Sequence, residues 1–338
     1  GNYTYLLENT PSVLSFGAVG SKKESEGPLG QYFDVINPDS SFGESSWEKA
    51  ESKMVQISVG QALSKGNFEA DQIDMAFAGD LLNQCIGSVY GLRDLGIPFV
   101  GLYGACSTMA ESLALAALFV DTAIAKKALA VTSSHFCSAE RQFRFPLEYG
   151  GQRPPTAQWT VTGSGACVVG ESDAAPFVRA VTLGCIEDLG IKDANNMGAA
   201  MAPAAAKTIS RYLADTRTKP EDYDMILTGD LGQVGSALLE QLLEQEKIHL
   251  QGRHQDCGLL IYDRQQQDVH AGGSGCGCAA SVLCSFILPK IRQGTLGDVL
   301  FVATGALMSP TSSMQGESIP GIAHLVHLSS SRRRKGVE

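Results

Sequence analysis

Positive charge is in short supply. The chain sets 26 lysines and arginines against 36 aspartates and glutamates, a net charge of −10 over 338 residues. Such a surface repels the phosphates of nucleic acid and has no broad affinity for anionic lipid. Long apolar runs are missing too. The most apolar stretch, Leu113 to Val120, is cut by Asp121 and then by Lys126-Lys127, well short of the roughly 20 residues that span a bilayer. No leader pattern precedes Pro11. The nine cysteines are odd in number and scattered, with no Cys-x2-Cys pair. Cys276-Gly-Cys278 is too tightly spaced for an ordinary zinc half-site, so no metal centre is expected. These absences predict a reduced, intracellular protein whose thiols serve mainly as small core residues. With 44% apolar and 18% charged residues, the composition is that of a globular chain with one large domain or two smaller ones.

What the chain does contain is repetition. Asp74-Met-Ala-Phe-Ala-Gly-Asp-Leu81 recurs 150 residues later as Asp224-Met-Ile-Leu-Thr-Gly-Asp-Leu231. Gly-Ala-Cys106 before a helix is echoed by Gly273-Ser-Gly-Cys-Gly-Cys278 before Ala279-Ala-Ser-Val-Leu. The strand-like Lys127 to Ser134 is echoed by Asp298 to Gly305. Three landmarks in one order mark an internal duplication. Each half reads helix, strand, strand, helix, strand, which predicts α/β layers around largely parallel sheets. The halves are placed at residues 1–174 and 175–330, with the seam at Ser172 to Pro176 and a disordered tail over 331–338. Ser45 with Glu48 has the pattern of a capping box for a helix from Trp47 to Leu63. Leu231, Val234, Leu238 and Leu242 predict an apolar helix face, with Glu240 and Glu244 in water.

Cys106 has the clearest chemical address. Ile97 to Leu102 reads as a buried strand, and Ser107 to Lys126 carries Met109, Leu113, Ala116 and Val120 at helical spacing. A sulfur in the turn between them lies near unpaired N–H groups and a helix dipole, which favour a thiolate. Strand ends are where open α/β folds hold ligands, and Asp80, His135 and Asp230 occupy other such ends. Cys106 as nucleophile, His135 as its base and Asp80 as the group orienting that base would form an acyl-transfer set. Equally, His135 reads as a packed histidine and Asp80 as the cap of a helix beginning at Leu81. Gly150-Gly151 and the glycines of 272–277 match neither dinucleotide nor Walker spacing. Close backbone packing at a helix start is the better explanation for both. Arg141, Arg144 and Arg153, interleaved with Phe143, Phe145 and Tyr149, read first as a solvated face. A second reading is a two-pronged carboxylate contact beside a stacking ring.

A duplicated α/β chain with Gly-Ala-Cys106 ahead of a long Ala/Leu helix resembles the thiolase fold of thiolases and ketoacyl synthases. The likeness includes Trp159 to Val169 and Gly305 to Leu328 as the hairpins closing each half. It implies a layered αβαβα architecture, a homodimer and the nucleophile position for Cys106. The second half departs from the enzymes. Type III ketoacyl synthases carry a histidine just after the strand that here ends in Thr228-Gly-Asp230, and an asparagine where this chain has Gly273 to Cys276. An ionised Asp230 would repel a developing oxyanion, and His270 lies a few residues early. Condensation machinery is therefore expected to be absent.

Longer stretches, among them Ala78 to Gln84, Phe99 to Thr108, Thr132 to His135, Ala139 to Arg144, Glu148 to Gly151, Met201 to Ala206 and Cys257 to Tyr262, are similar to the stage V sporulation protein AD family of spore-forming bacteria. That resemblance implies a non-catalytic protein that binds dipicolinic acid and works with the other SpoVA proteins at the spore inner membrane. Asp80, Cys106 and His135 are the implied ligand-binding positions. Calcium is allowed as the ligand's companion, and membrane association would run through partners. The rival reading is an acyltransferase using Cys106 and His135.

Overall fold

A computed structural model describes residues 3–143 and 152–332. After a short strand β1 (Thr4–Leu6), the first half contributes β2 (Ser12–Ser21), β3 (Val35–Asn37), β4 (Met75–Gly79), β5 (Phe99–Gly101), β6 (Lys127–Ser134), β7 (Trp159–Thr160) and β8 (Gly163–Gly170). The second contributes β9 (Phe177–Thr182), β10 (Met225–Thr228), β11 (His254–Asp256), β12 (Gly273–Ser274), β13 (Asp298–Ala306) and β14 (Gly321–Ser329). Five strands of the first half lie in the order β2-β8-β6-β4-β5, and five of the second in the matching order β9-β14-β13-β10-β11. The repeat read in the residues is thus a repeat of topology. The two sets meet at one register pair, Ser12 with Phe177. Each is mixed rather than largely parallel. The closing strand of each half, β8 or β14, runs antiparallel to both its neighbours, and only the outer pairings are parallel.

Three apolar clusters stack these strands into layers. Helix Thr108–Asp121 and the helical run from Cys276 share the central cluster, where Met109, Leu113 and Val120 meet Val282, Leu283 and Ile287. Helix Trp47–Gly66 covers the first sheet with Val55, Val59 and Leu63 against Ala76 and Leu129. Helices Met197–Thr216 and Gly232–Gln245 cover the second with Met201, Ile209, Leu239 and Leu243 against Ile226 and Leu300. Helix, sheet, central helices, sheet, helix is the thiolase-like αβαβα order. The repeated aspartates explain part of the symmetry. Asp74 accepts the backbone N–H groups of Lys126 and Lys127 at 2.7 and 3.0 Å, and Asp224 those of Gly297 and Asp298 at 2.6 and 3.1 Å. Each ties the start of its fourth strand to its second.

Local expectations needed adjustment. β5 is an edge strand, with Phe99 and Val100 exposed rather than buried, because only β4 pairs with it among the described residues. The long helix is capped by Ser46, whose Oγ accepts from the Lys49 N–H at 3.3 Å, while Glu48 turns away to bind Arg141. On helix Gly232–Gln245 the inward positions are Gly235, Ser236, Leu239 and Leu243, about one residue round from the expected face. The glycine where it crosses its neighbour pulls that face inward: a Cβ on Gly235 would lie 2.8 Å from the Gly198 carbonyl oxygen. Glu240 and Glu244 are exposed as expected. At the start of helix Cys276–Val282, a Cβ on Gly277 would lie 2.4 Å from the Gly163 carbonyl, so close packing does account for those glycines. Arg144, Phe145, Tyr149, Gly150-Gly151 and residues 333–338 of the predicted tail lie outside the described residues.

Candidate functional site

Cys106 sits in a single 3-10 turn, Ala105–Ser107, between β5 and helix Thr108–Asp121. Ala105 takes a left-handed φ of 52°, which turns the chain sharply enough to aim the sulfur at the other half. The turn rests on β13. A Cβ on Gly305 would lie 2.5 Å from the Gly104 carbonyl oxygen and 3.1 Å from the Ser107 nitrogen, so only glycine lets the halves approach here. Ahead of the turn opens a cavity of about 260 Å³. Cys106, Thr160 and Ser274 line it together with Tyr103, Glu140, Phe143 and the run from Ala306 to Ser309. No lysine or arginine is among the described residues that line it.

Asp230 meets Cys106 from below. Its Oδ2 accepts from the Gly275 N–H at 2.8 Å and the Ser274 hydroxyl at 3.2 Å, its Oδ1 from the Thr304 hydroxyl at 2.9 Å, and its charge acts on the adjacent Cys106 thiol. Burial, reinforced by the nearby Asp256 carboxylate, pushes Asp230 up to about 6. Burial and then the Asp230 charge hold the Cys106 thiol well above its ordinary range. The expected thiolate is therefore absent. The helix-start N–H groups are outweighed by a desolvated site and an adjacent carboxylate, the opposite of the electropositive setting of a reactive cysteine.

His135 and Asp80 do not join Cys106 in an acyl-transfer set. His135 is fully buried. Its Nε2–H donates to the Ser40 carbonyl at 2.8 Å, and its Nδ1 accepts from the Cys137 N–H at 3.1 Å. The ring packs 5.3 Å from that of Trp47, and burial lowers its pKa, so it is a neutral imidazole with both nitrogens in use. Asp80 accepts the Leu82 N–H at 2.9 Å and both the N–H and hydroxyl of Ser88 at 2.8 Å. It is a helix-anchoring residue, as its capping reading anticipated, but the helix it holds is Ile86–Leu92. Neither residue lines the cavity. Each stands directly behind one that does: Leu81 follows Asp80, and the Ala139 N–H bonds the His135 carbonyl at 3.0 Å.

Beside Asp80 lies a second buried acid. Glu51 accepts from the hydroxyls of Ser133 at 3.0 Å and Ser138 at 2.9 Å. Burial, then the Asp80 charge, pushes it up to about 8. Asp80 receives N–H donors that cannot reverse, whereas the hydroxyls facing Glu51 can, so the shared proton resides on Glu51. Of the arginines, Arg141 is engaged by Glu48, and Arg153 packs on Trp159. Tyr103, Phe143, Thr160 and the 306–309 segment were not foreseen as cavity residues. The alternation of Thr160 and Ser274 in the paired strands β7 and β12 was the one available signal.

The family model described as Stage V sporulation protein AD (SpoVAD) matches residues 1–329. Stage V sporulation protein AD of Bacillus subtilis (strain 168) is 48% identical over 324 residues, covering 96% of this chain and 96% of that protein. Among solved structures, 3-oxoacyl-[acyl-carrier-protein] synthase III of Aquifex aeolicus VF5 aligns at 12% identity with a TM-score of 0.57, covering 94% of this chain and 99% of its own. Cerulenin-bound OleA of Xanthomonas campestris aligns at 13% identity with a TM-score of 0.60, covering 96% and 97%. At such identities these structures establish the fold alone.

Proposed function

Because this chain belongs to the stage V sporulation protein AD family, we propose that it is a non-catalytic SpoVA protein that binds dipicolinic acid in the cavity closed by Cys106. The observation that carries the reading is Asp230. A buried carboxylate occupies the place where a condensing enzyme needs an N–H donor, and it keeps Cys106 a thiol. What remains is a small pocket, scaled to one planar ring, with Thr160 and Ser274 hydroxyls among its lining groups. Asp80 and His135 enter this reading as positioning residues for the wall at Leu81 and Ala139. Among the described residues no group of three His, Cys, Asp or Glu could hold a metal ion. Calcium is therefore proposed only as the ligand's own counter-ion. Calorimetry with dipicolinate, with and without calcium, is expected to show one saturable site per chain, weakened at least tenfold by Cys106→Phe, which fills the pocket. No saturable heat, or an acyl-CoA adduct on Cys106 that turns over, overturns the reading.

No helix among the described residues is long and apolar enough to cross a membrane. We place the protein at the spore inner membrane through other SpoVA proteins. We also propose a homodimer, supported by β5. Its outer edge pairs with nothing among the described residues and carries exposed Phe99 and Val100, with Tyr90 and Tyr103 exposed nearby. An open apolar edge is a template for strand pairing, and pairing with a second copy would continue the sheet across a two-fold axis. Light scattering is expected to give a dimer for the parent chain and a monomer for Phe99→Glu. A monomeric parent chain refutes the proposal.

A further inference from the structure

On the other side of the cavity wall, positive charge gathers in a chain that has little of it. Thr160 faces the cavity, and strand alternation turns Trp159 the other way. The Trp159 indole stacks on Phe136, with ring centroids 3.8 Å apart at 11°. Lys23 Nζ lies 4.0 Å from its centroid and Arg153 Cζ 4.5 Å. Burial lowers the Lys23 pKa, the Asp268 charge opposes that and the Arg153 charge adds to it, so two cations share one ring and one nearby carboxylate.

Their counter-charge is only partly supplied. Asp268 places its Oδ1 3.3 Å from Arg153 Nη2 and 3.1 Å from His270 Nε2, and its backbone carbonyl accepts from the same Nη2 at 3.0 Å. Yet the Asp268 side chain is 76% exposed, while that of Arg153 is 19% exposed. The carboxylate therefore reaches in from solvent to a cation held by the fold. Arg153 Nη1 is buried with no hydrogen-bond partner among the described residues. The remaining acids close to Lys23 do not fill the gap. Glu24 is buried and committed to Tyr262 and the Thr162 N–H, and Glu26 acts on Lys23 only through its charge. A guanidinium with both N–H bonds of one terminal nitrogen unanswered, beside an ammonium and an aromatic face, is the donor set that holds a carboxylate or phosphate in a forked contact.

We propose that Lys23, Arg153 and Trp159 form a second ligand site, separate from the Cys106 cavity, for the oxyanion group of a small carboxylate or phosphate ligand. Asp268 is its built-in occupant, displaced when the ligand binds. The proposal goes beyond the dipicolinate reading and does not rest on it.

The chain has two tryptophans, so Trp47→Phe leaves Trp159 as the sole indole reporter. Titrating that variant with inorganic phosphate and with malonate, against sodium chloride at matched ionic strength, is expected to change its emission saturably. A response to phosphate alone or malonate alone supports the site and identifies which oxyanion it takes. Arg153→Gln and Lys23→Gln are each expected to weaken the response at least tenfold. Asp268→Asn, which removes the internal competitor, is expected to tighten it at least threefold, a gain that misfolding cannot imitate. Adding Cys106→Phe should leave it unchanged. The proposal is overturned if neither oxyanion exceeds chloride, if Asp268→Asn does not tighten binding, or if Cys106→Phe abolishes the response and so places the anion in the cavity.

Discussion

Gly305→Ala is expected to destabilise the fold by about 2–3 kcal/mol and to loosen the Cys106 turn at the same time. The added methyl would sit 2.5 Å from the Gly104 carbonyl oxygen and 3.1 Å from the Ser107 nitrogen. Both are backbone atoms, which cannot rotate aside, so the strand and the turn must part, at the usual cost of overpacking a core. Moving the turn also separates the Cys106 thiol from Asp230 and admits water. Alkylation of Cys106 should therefore accelerate, against an unaltered rate at exposed Cys185. Gly60→Ala is the control. Gly60 lies in helix Trp47–Gly66 with nothing within 4 Å of an added Cβ, and the change should stabilise by up to about 1 kcal/mol. Equal melting temperatures for Gly305→Ala and the parent chain would show that the halves are not held at this contact.

The second large effect concerns pH. The Glu51 carboxyl is raised from its ordinary 4.5 to about 8 in the folded chain. Between those two values the folded state binds more protons at this residue than the unfolded state does. Stability from this site is therefore greatest below about 4.5, falls as pH rises through the interval, and is lowest above about 8. At about 1.4 kcal/mol per unit, the loss is on the order of 3–5 kcal/mol, with Asp80 sharing in it through the charge the two exchange. Glu51→Gln keeps an oxygen acceptor for Ser133 or Ser138 and cannot ionise. Urea midpoints measured from pH 5 to 9 should fall for the parent chain and fall less steeply for Glu51→Gln, which keeps only the dependence of other buried acids such as Asp230, the two curves separating most at pH 9. Parallel curves would mean that Glu51 is not the group holding the proton.

Much of this architecture was legible because it depends on spacing and repetition. The echo of Asp74 in Asp224 carries an identical backbone-anchoring task, and glycine before cysteine before an apolar helix does mark a sharp turn at Cys106. That an aspartate, Asp230, follows the second-half strand could also be read from the motif. Side-chain direction was not legible. His135 follows a strand as a catalytic base would, but its ring is claimed by the Ser40 carbonyl, the Cys137 N–H and Trp47. Those partners are distant or unremarkable in the chain. β5 reads as a core strand because its residues are apolar, and composition does not distinguish a central strand from an open edge. The cavity draws Tyr103, Phe143, Thr160 and Ala306 to Ser309 from four separate segments, a convergence only the fold creates.

The matched aspartates and cysteines also preserve a history. Cys106 of the first half reaches Asp230 of the second. Its counterpart Cys276, at the other central helix start, donates to the Ser133 carbonyl at 3.0 Å and lies within the field of Asp80 in the first half. Each half thus sets the thiol at its central helix start within the field of the other half's carboxylate, the pseudo-two-fold arrangement an internal duplication produces.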